Sequence, residues 1–105
     1  MVAEIKSQKE FTELITKDKV TVVDFHATWC GPCKQIAPFV EKLSKEFEDA
    51  NFVKVDVDEV SDVAAECGVR AMPTFMIFRG GEKVSEVVGA NPAALKAAVA
   101  GAVKA

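Results

Sequence analysis

The sequence predicts an α/β fold: a central mixed five-stranded sheet, in the order β-α-β-α-β-α-β-β-α, flanked by four helices. Three observations carry this expectation. Residues 20–25, Val-Thr-Val-Val-Asp-Phe, form a β-branched and almost unbroken apolar run, as in a strand buried on both faces of a sheet. Strand-like runs then alternate with segments of helical period, the pattern of parallel strands joined by crossover helices. Further on, Gly80-Gly81 separates two strand-like runs, a hairpin signal that adds an antiparallel pair.

In chain order, residues 2–5 make a short first strand. Ser7-Gln8-Lys9-Glu10 has the spacing of a capping box, in which the hydroxyl and the carboxylate each cover an orphan N–H. Phe11, Leu14 and Ile15 follow at helical spacing, in a helix expected to end near Lys17-Asp18. After the apolar strand, Ile36, Phe39, Val40, Leu43 and Phe47 mark a helix of about four turns, with a kink expected at Pro38. Residues 52–57 alternate as a strand. Asp58 is placed to cap a short helix carrying Val60, Val63, Ala64 and Cys67, which Gly68 stops. Residues 74–78 and 83–88 are the hairpin arms, and Gly89 closes the second. Asn91-Pro92 opens a last helix with Leu95, Val99 and Val103 on its buried face.

With 105 residues, half of them hydrophobic, there is room for one domain over residues 1–105 with one core. A net charge of −3 offers no basic footprint for nucleic acid, and no apolar run approaches the roughly 20 residues that span a membrane. Charges arrive early in Met1-Val2-Ala3-Glu4-Ile5-Lys6, which argues against a secretory signal. Three cysteines are too few for a disulfide scaffold, so the expectation is cysteine chemistry in the cytosol.

That chemistry centres on Trp29-Cys30-Gly31-Pro32-Cys33, directly after the apolar strand. Proline suits a first helical turn, which puts Cys30 at or just before a helix N-terminus, where free N–H groups and the dipole favour a thiolate. The spacing allows a small disulfide ring or two ligands to one metal. A metal site needs about four ligands, and only His26 and Cys67 remain to help. Thiol–disulfide exchange is therefore the favoured reading for this motif beside a βαβ pattern, with Cys30 the exposed attacker and Cys33 the shielded resolver.

Asp24 interrupts the apolar strand; burial raises a carboxyl pKa, and it is placed to take the Cys33 proton through water. The alternative is a strand-end residue paired with Lys54. The Met72-Pro73 bond can be trans or cis, and cis occurs in about 5–6% of such bonds. His26 reads as a hydrogen-bonded or solvent-facing neighbour rather than a base, and Cys67 as a buried small hydrophobe. Trp29, if exposed, is a contact residue.

Together these residues resemble the thioredoxin family. Val-Asp-Phe-x-Ala-Thr-Trp-Cys-Gly-Pro-Cys-Lys stands at 23–34, Ala-Met-Pro-Thr-Phe at 71–75 and Val-Gly-Ala-Asn at 88–91. The likeness runs the whole chain; Ala-Thr-Trp-Cys is similar to the eukaryotic cytosolic branch and Ala-Asn-Pro-Ala-Ala at 90–94 to fungal members. The resemblance implies a thioredoxin fold and a protein-disulfide reductase, with Cys30 the nucleophile, Cys33 the resolving thiol and a disulfide between them when oxidised. It makes Asp24 the proton acceptor for Cys33, with Lys54 its neighbour, and Gly31 and Pro32 tuners of the redox potential. It implies that Pro73 is cis and that Trp29, Met72, Pro73, Gly89 and Ala90 form the substrate-docking surface. It also implies no bound cofactor, recharging by NADPH through thioredoxin reductase, and clients such as ribonucleotide reductase, peroxiredoxins and methionine sulfoxide reductases. A monomer is expected, without nucleic-acid or membrane partners. Gln35 replaces a common Met, and Ala71 stands where some animal members carry a cysteine. An oxidase or isomerase fits the Gly-Pro pair poorly; a structural subunit with incidental cysteines is the rival from another class.

Overall fold

The computed structural model describes residues 2–104. Its elements are β1 (Ala3–Glu4), α1 (Gln8–Ile15), β2 (Thr21–His26), α2 (Gly31–Glu46), β3 (Asn51–Asp56), α3 (Ser61–Glu66), β4 (Thr74–Arg79), β5 (Glu82–Val88) and α4 (Pro92–Lys104). They form one sheet in the order β1-β3-β2-β4-β5, so the apolar run becomes the middle strand. β1, β3 and β2 run parallel; β4 is antiparallel to β2 and β5 to β4.

The reversal of β4 against β2 goes beyond expectation, since only the terminal hairpin was read as antiparallel. The length of α3 explains it. Six helical residues rise only about 9 Å, too little to carry the chain back along strands of roughly 20 Å. The chain instead re-enters the sheet at the end where β3 left it.

Strand periodicity sorts the core into two layers. Val22, Phe52, Phe75 and Ile77 pack with Ile36, Val40 and Leu43 of α2 and Leu95 and Val99 of α4. Val23, Phe25, Val53, Val55 and Met76 pack with Phe11 of α1 and Val63 of α3 on the other face. Asp24, Lys54 and Glu4 have the parity of the first set, and all three are in register across β2, β3 and β1.

The helix ends follow local chemistry. Ser7 Oγ accepts from Glu10 N at 3.2 Å, and the Glu10 carboxylate accepts from Lys6 N at 2.7 Å, one residue ahead of the cap. α1 stops at Ile15, short of Lys17-Asp18, because the hairpin turn takes its free carbonyls: Gly81 N donates to Ile15 O and Gly80 N to Lys17 O. Those glycines have φ of +87° and +60°, a region glycine enters without steric cost. Asn91 Oδ1 accepts from Ala94 N at 3.1 Å and caps α4 as expected.

Asp58 does not cap α3. Asp56 Oδ1 accepts from Asp58 N and Glu59 N instead, a local side-chain turn available to an Asp at a strand end. Val60 holds the cap position without a side-chain bond.

Leu95 is fully buried between α4 and the sheet, so Leu95→Ala should cost about 2–5 kcal/mol. Urea unfolding measures this as a lower midpoint at unchanged slope. A loss below about 1 kcal/mol would contradict the packing described.

Candidate redox site

The end of β2 and the start of α2 are joined by one tight turn, in which Cys30 N donates to Ala27 O at 3.1 Å. Cys30 is the N-cap of α2, in extended conformation, and its Sγ accepts from Cys33 N at 3.2 Å. A Ser or Asp oxygen usually fills this position; here sulfur takes an orphan N–H and sits at the positive end of the helix dipole. Gly31 and Pro32 complete the first turn, both exposed, and Pro32 loses no helical bond there. Cys30 and Cys33 are joined in a disulfide with Cα atoms 5.3 Å apart.

Burial does not separate the two cysteines as expected. Cys30 is 4% exposed and Cys33 6%. Capping folds the Cys30 side chain back over its own helix, and Ala27 and Met72 pack against the pair. What distinguishes them is direction. Cys33, with Asp24, His26, Lys54 and Ala37, lines a cleft of about 340 Å³ to which Cys30 does not contribute.

Asp24 is 7% exposed. Burial raises its carboxyl from the usual 3.8 to about 6, against the opposing pull of His26 and Lys54 and with a smaller push from the Glu4 carboxylate. Its Oδ1 meets no hydrogen-bond partner among the described residues. Lys54 is the cross-strand neighbour of Asp24, as the resemblance implies, but the ion pair of the alternative reading is not made. The Lys54 ammonium lies 4.0 Å from Glu4 Oε1, because Glu4 is its other in-register neighbour and is far more open to water.

Apolar groups also flank the disulfide. Trp29 is 66% exposed, and its Nε1 donates to Asp58 Oδ2 at 2.9 Å, the bond that draws Asp58 away from α3. The Met72–Pro73 peptide is cis. Met72 packs on the cysteines, whereas Pro73 is itself buried. Gly89 N donates to Pro73 O at 2.8 Å, tying the end of β5 to this loop, and Ala90 lies exposed just beyond. Gly89 has φ +100°, where a side chain would strain the backbone.

Two expected residues lie differently. Cys67 is half-buried at the end of α3, packed beside the α1–α3 core layer and apart from the disulfide; burial and the neighbouring Glu66 push its thiol upward. His26 Nε2 lies 3.3 Å from Glu4 Oε2, so it is a hydrogen-bonded neighbour as read. Sequence reasoning missed Glu4 altogether, since the register of β1 on β3 leaves no mark in the linear order. Among the described residues, no group of three or more His, Cys, Asp or Glu is placed to hold a metal ion, and no helix is long and apolar enough to cross a membrane.

Comparison with known proteins agrees with this geometry. The thioredoxin family profile matches residues 2–101. Thioredoxin-1 of Schizosaccharomyces pombe is 54% identical, over 94% of this chain and 96% of its own. The crystal structure of thioredoxin from Trypanosoma brucei brucei superposes with a TM-score of 0.96 at 38% identity, covering 100% of this chain and 93% of that one. A chain from a structural study of thiol resolution in yeast mitochondrial 1-Cys peroxiredoxin, via the glutathione and thioredoxin systems, is 42% identical with a TM-score of 0.91, covering 95% and 94%. With a cysteine pair closing the first turn of α2 and relatives matched along nearly their whole length, the chain belongs to the thioredoxin family and is a protein thiol–disulfide oxidoreductase.

Proposed function

We propose that this oxidoreductase works as a reductase, passing two electrons from NADPH, through thioredoxin reductase, to disulfides of client proteins. The observation that carries the reading is the asymmetry of the disulfide: Cys30 caps α2, while Cys33 faces the cleft of the buried Asp24. In the reduced form the Cys30 thiolate attacks a client sulfur. A Cys30–client bond forms, the client disulfide breaks, and the first client thiolate leaves and takes a proton. Cys33 then gives its proton to Asp24 and attacks Cys30 Sγ, forming the Cys30–Cys33 bond and expelling the second client thiolate. The client gains two electrons and the pair is oxidised.

Peroxiredoxins, ribonucleotide reductase and methionine sulfoxide reductases are the client classes we assign, the first supported by the yeast peroxiredoxin system to which one similar chain belongs. Lys54 acts as the charged neighbour of Asp24, and Gly31 and Pro32 hold the potential low by shaping the first turn. Exposed Trp29, with Met72, Pro73, Gly89 and Ala90, is the surface on which an extended client segment docks. We place the activity in the cytosol, where thiols are kept reduced, and assign residues 1–105 to one monomeric domain without a bound cofactor.

NADPH consumption in the presence of a protein disulfide measures the proposal: rapid oxidation should require this chain and a thioredoxin reductase together, and vanish in Cys30→Ser. Equal rates without the reductase, or an active Cys30→Ser variant, would refute it.

Asp24 gives two linked expectations. Its raised pKa means that ionisation is harder in the folded than in the unfolded chain, so this carboxyl lowers stability as pH rises from about 4 through 6. Asp24→Asn should therefore stabilise the protein by up to about 3 kcal/mol at pH 8, with the gain fading toward pH 4. The same variant should slow resolution of a Cys30 mixed disulfide about tenfold or more above pH 6, where the Asp24 carboxyl is ionised and able to take a proton. Stopped-flow release of a client thiol reads the rate, and an unchanged pH profile would leave Asp24 without the proton.

A further inference from the structure

Three charged side chains lie in one row across the parallel part of the sheet: Glu4 on β1, Lys54 on β3 and Asp24 on β2, each opposite the next in register. His26, two residues after Asp24 on β2, points the same way and reaches the same Glu4. One Glu4 oxygen lies 3.3 Å from His26 Nε2 and the other 4.0 Å from Lys54 Nζ. A single carboxylate on a two-residue edge strand thus engages both basic groups that line the Asp24 cleft from the sheet side.

The consequence is electrostatic. Asp24 is buried with an unpartnered Oδ1, and a cation brought into contact with it would hold it ionised. Neither Lys54 nor His26 makes that contact; each is turned to Glu4. The remaining charged groups around the cleft do not substitute. Asp56, the register neighbour of His26, spends its carboxylate on the backbone N–H groups of Asp58 and Glu59. Lys34, on α2, is exposed at the rim, and Cys33 faces the cleft as the group to be deprotonated.

We propose that Glu4 is a positioning residue for the redox reaction: by pairing with Lys54 and with His26, it keeps both basic groups off Asp24 and leaves that carboxyl able to accept a proton. Glu4 and His26 act on Asp24 in opposite directions, the carboxylate favouring its protonation and the imidazole opposing it. The inference rests on the proposed role of Asp24 as proton acceptor, and its test separates the two.

The test follows the Asp24 carboxyl by carbon-detected NMR in the oxidised protein, where neither Cys30 nor Cys33 titrates, for the parent chain, Glu4→Gln and His26→Gln. Both substitutions lie on the half-exposed rim, and thermal unfolding checks that each variant is folded. Glu4→Gln should lower the Asp24 midpoint by about half a pH unit or more, since a repelling charge is lost and two cations are released. His26→Gln should raise it, and Lys54 would then be the only cation opposing protonation from the sheet. The lower limb of the pH–rate profile for mixed-disulfide resolution should move with the midpoint in each variant. Midpoints that stay in place, or that move in the reverse directions, overturn the assignment of Glu4 and His26 whatever the rates do. Midpoints that move as stated while the rate limb stays fixed uphold the pairing and overturn the proton-acceptor reading of Asp24 instead.

Discussion

Strand β2 is buried on both faces and hydrogen-bonded along both edges, to β3 on one side and β4 on the other, and the redox site is registered to it. Its buried residues set the depth of Asp24. Its end at His26 sets where the chain turns at Ala27 and enters α2, and hence where the Cys30 sulfur meets the helix dipole. A one-residue slip of this strand would exchange its two faces, moving Asp24 into the α1–α3 core layer and away from Cys33. The apolar packing of Val22, Val23 and Phe25 therefore fixes the chemistry indirectly, by denying the strand any other register.

The same strand carries an energetic conflict. A carboxyl moved from 3.8 to about 6 is harder to ionise by about 3 kcal/mol, a large share of the 5–15 kcal/mol that holds a small domain together. An apolar residue there would pack with Phe75, its neighbour on β4, at no such cost. The position opens onto the cleft that Cys33 lines, where the proposed mechanism gives a buried carboxylate a proton to accept. A local violation of the hydrophobic pattern is what a functional residue looks like when the rest of the strand obeys it.

Much of this was legible in the sequence because it is written locally. The nine elements, the α2 cap at Cys30, the turn glycines and the Asn91 cap all follow from neighbours within four residues. Asp24 stood out because its own strand made it anomalous. What could not be read depends on distant segments. The reversal of β4 arises from the reach of α3 against the length of the strands, and the loss of the Asp58 cap from a bond to Trp29, far earlier in the chain. The pairing of Lys54 with Glu4 rather than Asp24 needs the register of β1 on β3. The cis bond before Pro73 was open on the residues alone, and only the likeness to the thioredoxin family pointed to it. The equal burial of the two cysteines went against expectation because a capping side chain folds onto its own helix.

The central claim is that the α2 cap makes Cys30, and not its partner, the nucleophile. Alkylation of the reduced protein by iodoacetamide as a function of pH, with each cysteine followed by mass spectrometry, tests it most directly. The account predicts that Cys30 reacts first and with a midpoint below the ordinary thiol value of about 8.5, ahead of both Cys33 and Cys67. Modification of Cys33 or Cys67 before Cys30, or a Cys30 midpoint at or above that of a free thiol, would contradict it.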